Sequence, residues 1–278
     1  MVLPVLVRRL RFEARDEIRF PGAKAANVLR GGFGMALRQT APADEYARIF
    51  EPKLTGKAPS GLADPPRPFV FRAAHLDGSR IAKHDDFQFD IHVFGDDSVA
   101  QSITSALEHL FLVGTGVGRG TAKLGGVTDE RVELDLLTEE PASRVRVQFL
   151  TPTELKHQGL VVAQPDFPVL IRRIRDRVST LMSLYGPGEL PIDFRLFGQA
   201  AEQIQMVRSD MDLRDVARTS SRTGESHTIG GLVGEAEYTG NLDRYVPFLR
   251  AAFYTGVGRH TVWGNGCLQT TILAAAAA

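Results

Sequence analysis

The sequence has few cysteines, no net charge and no long apolar segment at its N-terminus, and each of these absences excludes a class of protein or of site. A single cysteine, Cys267, in 278 residues excludes an intrachain disulfide and a cysteine-based zinc site. The 33 acidic and 33 basic residues balance, so no overall field attracts nucleic acid or an anionic membrane. Charged residues interrupt the N-terminal apolar stretch early. We therefore predict a cytoplasmic protein with no signal peptide, no membrane span and no membrane partner.

Lysine is also scarce, and most of the positive charge is arginine: 6 Lys against 27 Arg. The guanidinium group binds phosphate through two hydrogen bonds and stacks on bases, so this excess is typical of local nucleic-acid contacts. Codon bias in a GC-rich genome explains the excess equally well. No Gly-Lys-Ser or Gly-Lys-Thr is present, which excludes a Walker loop.

A glycine-rich stretch occurs twice. Residues 115–127 read TGVGRGTAKLGGV and residues 255–267 read TGVGRHTVWGNGC, at an offset of 140 residues, which is half the chain. Two β-rich segments, VLVRRLRF at 5–12 and VRVQFL at 145–150, share that offset. Internal similarity of this kind predicts two copies of one domain.

The periodicity of each half predicts the same order of elements. Residues 29, 33 and 37 place Leu, Phe and Leu on one helical stripe, residues 167–186 form a second-half helix ending near Gly186, and alternating segments predict the strands. The order is strand, helix, two strands, helix, strand. We therefore predict an α+β fold of two tandem ferredoxin-like βαββαβ domains, 1–139 and 140–278, each with a glycine-rich loop after its second helix.

The glycine stretches do not fit a dinucleotide site. Each is predicted to follow a helix and enter a strand, whereas the dinucleotide fingerprint follows a strand and opens a helix. Two interpretations remain: a backbone that a ligand approaches closely, and a helix C-cap with a tight turn. If a ligand approaches the backbone closely, we expect the loop 256–266 to be exposed. A side chain at Gly258 should then block the ligand while the fold survives.

The pattern Gly256-Val257-Gly258, five residues, Gly264-Asn265-Gly266 resembles the C-terminal glycine-rich loop of the RAMP superfamily of CRISPR-associated RNA-binding proteins. Within it, the chain is most similar to the Cas6 type of endoribonuclease. Further similar segments, in order, are LRGGFGMALR at 29–38, YARIFEP at 46–52, PFVF at 68–71, TPTELK at 151–156 and SSRTGESHTIGGLVGEAEYTGNL at 220–242. Two tandem ferredoxin-like domains are what this resemblance implies.

The resemblance also implies a reaction. Such enzymes cut precursor CRISPR RNA within its repeats without a metal or cofactor: the ribose 2′-oxygen attacks its own phosphate, leaving a 2′,3′-cyclic phosphate and a 5′-hydroxyl. The implied partners are the CRISPR repeat RNA stem-loop, which stays bound after cleavage, and other Cas proteins of an effector complex. One departure matters: these enzymes often carry a histidine soon after the first strand, and residues 12–74 contain none.

Two explanations of this departure stay open. Other residues carry catalysis, as in type IV-like branches that rely on arginine, or the chain is a catalytically inactive RNA-binding subunit. For catalysis we predict Arg19, Arg38 and His227, the last in a loop with Arg218 and Arg222. Arg30, Gly34 and Arg38 recur at helical spacing, for which a solvated face is the alternative.

For RNA binding we predict residues of both glycine stretches, of the first helix and of the loop around His227. They are Arg30, Arg119, Arg218, Arg222, Gly256, Gly258, Arg259, His260, Gly264 and Gly266. His260 is also a candidate acid or base, because imidazole titrates near neutral pH. Trp263 is a candidate to stack on a base, with a place in the core as the alternative. We predict no metal ligands.

Overall fold

The chain folds as an α+β protein with two antiparallel four-stranded sheets. The computed structural model describes residues 1–53, 65–95, 97–219 and 226–275. The Pro-rich segment KAPSGLADPPRPF at 57–69 predicts a loop by its sequence, and most of it lies outside these ranges.

The first half contains six strands and three α-helices among its described residues. They are β1 (Val2–Ala14), β2 (Ile18–Arg19), α1 (Ala25–Thr40), α2 (Ala43–Phe50), β3 (Phe69–Arg72), β4 (Arg80–Ile81), β5 (Asp86–Phe94), α3 (Ala100–Val113) and β6 (Ala122–Asp135). Single turns of 3₁₀ helix lie at Ala74–Leu76 and Asp97–Val99.

The second half repeats this plan in its described part. Its elements are β7 (Arg144–Thr153), β8 (Lys156–His157), β9 (Leu160–Val161), α4 (Phe167–Tyr185), α5 (Phe194–Ala201), β10 (Gln205–Thr219), β11 (Ser226–Thr239), α6 (Val246–Thr255) and β12 (Leu268–Ala274). One turn of 3₁₀ helix, Thr261–Trp263, interrupts the connection from α6 to β12.

The two sheets have the same topology. The first has the order β3-β5-β1-β6 and the second β10-β11-β7-β12, so in each the first main strand lies between the third and the fourth. Every neighbouring pair is antiparallel. This arrangement is consistent with tandem ferredoxin-like domains. The division at residues 139 and 140 stays a prediction.

Several elements differ from the sequence prediction, among them the short strands β2, β4, β8 and β9, which were not expected. The helices α2 and α5 were not expected; each has only eight residues, and α5 begins where the Asp193 carboxylate accepts from the amides of Arg195 and Leu196. The late part of the first glycine stretch, predicted as a loop, is strand instead: β6 begins at Ala122 and pairs with β1 around a register shift at Arg11 and Phe12.

Strand β1 has apolar residues on both of its faces, and a core covers each face of the first sheet. Leu6, Leu10 and Phe12 pack in the core beneath α1 and α3. On the opposite face Leu3, Val5 and Val7 join a core that consists mainly of second-half residues. Arg9 follows on that face and is exposed, so the change from apolar residues to arginine marks where the second half stops covering the sheet.

The carboxyl end of α6 is held from both halves of the chain. Arg72 Nη2 donates to the carbonyls of Phe253 at 2.7 Å and Tyr254 at 3.3 Å. His92 Nδ1 donates to Tyr254 O at 3.0 Å, and Arg177 Nη2 to Thr255 O at 3.3 Å. These carbonyls lack partners within the helix and carry its negative end, so donors and cations stabilise them.

Stability should fall in acid because of His92. Burial, and then the charge of Arg72, lower the pKa of His92 from 6.5 to about 3. The unfolded chain therefore takes up the proton first, and the free energy of unfolding decreases as pH falls from about 6.5 toward 3, by about 1.4 kcal/mol per pH unit for one proton. Urea titrations from pH 7.5 to 4.5 measure this slope.

The substitution His92→Asn keeps an N–H donor and removes the titration, so we expect a flatter profile over the same pH range. His109→Asn is the control, because His109 is only half-buried and bonds the Gln39 side chain at 2.9 Å. Equal slopes for His92→Asn and the wild type would show that His92 does not contribute to the loss.

Candidate RNA-binding and catalytic site

The second glycine stretch forms a tight turn between α6 and β12. Val257 N donates to Gly266 O at 2.9 Å and closes the turn, while Gly266 N donates to Pro152 O at 3.0 Å at the end of β7. Gly256, Gly258, Gly264 and Gly266 all have positive φ, between 69° and 85°. The predicted position, after the second helix and before the last strand, is thus the position found.

The glycines are required by the protein's own backbone. A Cβ at Gly258 would overlap the carbonyl oxygen of Glu154, and a Cβ at Gly266 would overlap that of Val257. Ten of the eleven residues 256–266 are buried or half-buried, and Arg259 is the one exposed residue. The expectation of an exposed loop that tolerates a side chain at Gly258 is therefore wrong.

The turn also packs against the first half. Val262 packs against the first-half core. A Cβ at Gly264 would lie 2.8 Å from Ala26 Cβ in α1, and Gly264 O accepts from Thr151 Oγ1 at 2.9 Å. The turn therefore positions Arg259 and His260 relative to both halves of the chain.

His260 is held in an uncommon conformation between an aromatic ring and a carboxylate. Its φ of 64° and ψ of 24° are left-handed, a region that few non-glycine residues occupy. The ring stacks on Trp263 with centroids 4.4 Å apart and planes within 6°, so Trp263 stacks on a side chain of the protein. Nε2 lies 3.7 Å from Oε2 of Glu154. Strain of this kind is a reason to look for function.

Cations surround the Glu154 carboxylate, whose side chain is only 11% exposed. Arg259 Nη1 lies 3.2 Å and Lys156 Nζ 3.7 Å from its Oε1. A pocket of 510 Å³ begins here and is also lined by α4, which contributes Arg173 and Arg177. An imidazole beside a carboxylate can transfer protons, and the adjacent cations can hold a phosphate.

Four of these residues were missed by the sequence prediction. Glu154 and Lys156 lie in the segment TPTELK that carries part of the resemblance, so a signal for them existed. The sequence carries no comparable signal for Arg173 and Arg177. They belong to an ordinary amphipathic helix and reach the pocket only through the packing of α4.

The first glycine stretch brings Arg19 and Arg119 to one place. Val117 N donates to Arg19 O at 2.9 Å, and Arg119 is exposed with a φ of 54°. The Arg19 guanidinium pairs with Glu17, which also pairs with Arg80. Arg19 is thus partly neutralised.

The arginines of α1 lie elsewhere. Arg30 packs over the Phe50 ring at 4.5 Å, and a Cβ at Gly34 would overlap that ring, so Phe50 explains the glycine there. Arg38 is exposed in the last turn. It lies about 20 Å along the axis from the start of α1, whereas Arg19 precedes the helix. The predicted catalytic pair, Arg19 and Arg38, is therefore not brought together.

The region around His227 is a hairpin where a loop was expected. Arg218 in β10 and His227 in β11 are paired across the ladder, because the two strands extend beyond the sheet. Arg222 lies outside the described residues. Gly231 contacts the backbone of Thr153 and Glu154, and His227 is about 13 Å farther along the strand.

The open face of the second sheet is neutralised internally. Arg146 Nη2 lies 2.8 Å and Arg144 Nη2 2.5 Å from the Glu237 carboxylate, which is 3% exposed. Hydrogen bonds from Arg146 and then Arg144 lower the pKa of Glu237 below its usual value. These arginines are already paired, so this face offers less to an anion than the glycine turn does.

Across the described ranges, no helix has the length and apolar character needed to span a bilayer. In the same residues, no three His, Cys, Asp or Glu side chains are grouped as metal ligands would be.

The fold of two antiparallel four-stranded sheets is shared with a solved RAMP protein described as binding different RNA substrates, which is 12% identical, covers 96% of this chain and aligns with a TM-score of 0.53. Residues 147–268 match the model of the CRISPR-associated endoribonuclease Cas6. Residues 3–150 match a model described as an N-terminal domain. The second half of the chain therefore matches the Cas6 family of CRISPR-associated endoribonucleases, and solved Cas6 structures share the fold of the whole chain. No curated protein matches it.

Solved structures of Cas6 share the fold over nearly the whole chain. Thermus thermophilus Cas6 (TTHB231) is 15% identical, with 98% of this chain and 99% of that chain covered and a TM-score of 0.62. The product complex of Cas6 (TTHA0078) is 18% identical, with coverage of 98% and 100% and a TM-score of 0.59. A Cas6-RT-Cas1–Cas2 complex aligns at 12% identity and a TM-score of 0.61, covering 99% of this chain and 30% of that chain.

The role of the glycines can be tested by stability. Gly258→Ala should destabilise the fold by about 2–4 kcal/mol, because left-handed strain adds to the overlap with Glu154 O. Gly118 is the matched control: it holds the same place in the first stretch, has a φ of 87°, and a Cβ there meets nothing within 4 Å. Gly118→Ala should cost only about 1 kcal/mol. Equal losses in urea titrations would contradict the close approach at Glu154.

Proposed function

We propose that the chain cleaves precursor CRISPR RNA within its repeats, without a metal, through attack of the ribose 2′-hydroxyl. The products are a 2′,3′-cyclic phosphate and a 5′-hydroxyl. The observation that carries this proposal is the His260 ring, held beside the Glu154 carboxylate with Arg259 and Lys156 adjacent. This cluster supplies the two things the reaction needs: a group that takes a proton and cations that stabilise charge on the phosphorane.

His260 is the best-placed base among the described histidines. His92 is buried on Tyr254 O with its pKa lowered to about 3, and His75 Nε2 bonds Gln88 O at 2.8 Å. Arginine remains protonated at any ordinary pH and is a poor base. We therefore assign proton transfer to His260, orientation of its ring to Glu154 and Trp263, and charge stabilisation to Arg259.

The remaining predicted residues keep a role in binding. Each half is proposed to be a ferredoxin-like RAMP domain, 1–139 and 140–278. Arg38 at one end of α1 and Arg19 with Arg119 near the other lie too far apart to serve one phosphate, but an RNA stem-loop can contact both. Arg30, Arg218, Arg222 and His227 are proposed as further contacts.

The RNA is proposed to stay bound after cleavage, within an effector complex of Cas proteins. Product complexes of Cas6 relatives, and a Cas6-RT-Cas1–Cas2 complex, are the precedents. The second candidate is a catalytically inactive subunit that binds CRISPR RNA, favoured by the absence of histidine from residues 12–74. Gel analysis of cognate repeat RNA incubated with protein in EDTA separates the two: a cut supports the enzyme, and a shifted but intact RNA supports the binding subunit.

Replacing His260 should abolish cleavage and spare binding. Asn tolerates the left-handed conformation, so His260→Asn is expected to slow single-turnover cleavage by about 10²–10⁴-fold while Kd for the repeat changes little. His84→Asn is a close control, because His84 also has positive φ, at 73°, and lies 3.4 Å from a glutamate, Glu13, but is exposed far from the turn.

The same assay should include Arg38→Ala, which we expect to weaken binding by up to about tenfold and to leave the cleavage rate of bound RNA nearly unchanged. Loss of cleavage in Arg38→Ala with full activity in His260→Asn would place the reacting phosphate at the end of α1 instead.

Arg259 should contribute one phosphate contact. Arg259→Ala is expected to weaken repeat binding and to lower the slope of log Kd against log salt by about 0.7, the value for one contact to a single strand. Arg195→Ala on α5 is the control, because that arginine is exposed and bonds only the Gln199 side chain at 3.1 Å. Identical slopes for both variants and the wild type would remove Arg259 from the interface.

A further inference from the structure

The pocket beside the glycine turn has walls on three elements. It has a volume of 510 Å³, within the range of small-ligand sites, and lies between α4, the β8–β9 connection and the turn. Gly159 and Gly258 supply backbone surfaces without side chains, and Pro66 supplies an apolar ring. Tyr185 Oη donates to Pro66 O at 2.6 Å, which fixes that wall to α4.

The pocket has an excess of positive charge. Lys156, Arg173, Arg177 and Arg259 line it, against Glu154 and Asp176, which is four cations to two carboxylates. Arg259 and Lys156 share Glu154, and Arg173 Nη1 lies 3.8 Å from Asp176 Oδ2. A net charge of about +2 in a partly enclosed space favours an anionic ligand.

Arg177 is the interior cation of this pocket. Among the described residues no carboxylate lies within ion-pair distance of it, and its hydrogen bonds go to Thr255 O, at 3.3 and 3.4 Å. Burial lowers its pKa to about 10, and the nearby charge of Arg72 acts in the same direction. A charge that is half-buried without a counter-ion is only partly solvated, and an anion entering the pocket would supply that counter-ion.

We propose that this pocket binds one nucleotide of the RNA, with its phosphate on Arg177 and Arg173 and its base against Pro66 and the two glycine backbones. The inference rests on the proposed RNA substrate and adds to it a defined subsite. Because the pocket adjoins Glu154 and Arg259, the nucleotide it holds is close to the reacting phosphate. Bound there, it would hold the strand in register for His260.

The test compares two arginines on the same helix. Arg177→Met keeps the aliphatic stem and removes the charge; Arg172→Met is the control, because Arg172 faces Glu202 at 3.6 Å and does not line the pocket. We expect Arg177→Met to weaken binding of cognate repeat RNA by about 10- to 100-fold and to lower the salt slope by about 0.7. Arg172→Met should match the wild type.

Photocrosslinking locates the nucleotide. Repeat RNAs with a single 4-thiouridine at successive positions should give, at one position, a crosslink to the peptide around residues 156–180 that Arg177→Met loses. Should Arg177→Met melt early, Arg177→Lys, which keeps the charge, and Arg173→Met, which removes a neighbour, replace it. Arg177→Lys should then bind like the wild type, whereas wild-type affinity in Arg177→Met or Arg173→Met, or crosslinks only outside the pocket, would overturn the proposal while leaving the cleavage reaction intact.

A mononucleotide titration separates the pocket from the RNA. If the wild type does not bind repeat RNA, the proposed function fails. Calorimetry with uridine monophosphate then still tests the pocket: binding that Arg177→Met abolishes supports a nucleotide site for a free ligand, and no binding overturns the site as well.

Discussion

The carboxyl end of α6 is the point on which the arrangement of the molecule depends. Its last carbonyls have no partner within the helix and carry the negative end of its dipole. Arg72 and His92 from the first sheet and Arg177 from α4 donate to them. Because the glycine turn starts at the next residue, these bonds fix the start of the turn against the first sheet and α4. The interface between the halves and the candidate site therefore share one set of hydrogen bonds.

Glu154 has a comparable role on the other side of the turn. Its carbonyl oxygen lies where a Cβ at Gly258 would be, and it accepts from Arg259 N at 3.3 Å, so the backbone of the turn is built around it. Its carboxylate balances Arg259 and Lys156 and faces His260. One buried acid thus permits several cations to gather at a partly covered place, where unpaired charges would repel one another.

The sequence predicted those features that depend on neighbours along the chain. The long helix α4 ends at Tyr185, before Gly186 as expected, the apolar segment at 5–12 lies in β1, and β5 begins with the alternation of its sequence. Features that depend on distant residues were missed or misjudged. The glycines were read as room for a ligand because Glu154, more than 100 residues away, gives no local sign that its backbone occupies that space. Arg19 and Arg38 are close in sequence, but a rigid helix of 16 residues separates them.

The two glycine stretches differ at one position that decides which can carry chemistry. Gly120 of the first stretch corresponds to His260 of the second, at the offset of 140 residues. A Cβ at Gly120 would overlap the carbonyl oxygen of Glu17, so no imidazole fits there without moving the backbone. In the second stretch the residue is turned into the left-handed region, where its side chain reaches Trp263 and Glu154. The duplicated framework therefore contains two basic loops, with Arg119 in one and Arg259 in the other. Of the two, the second loop alone has room for a side chain that transfers protons.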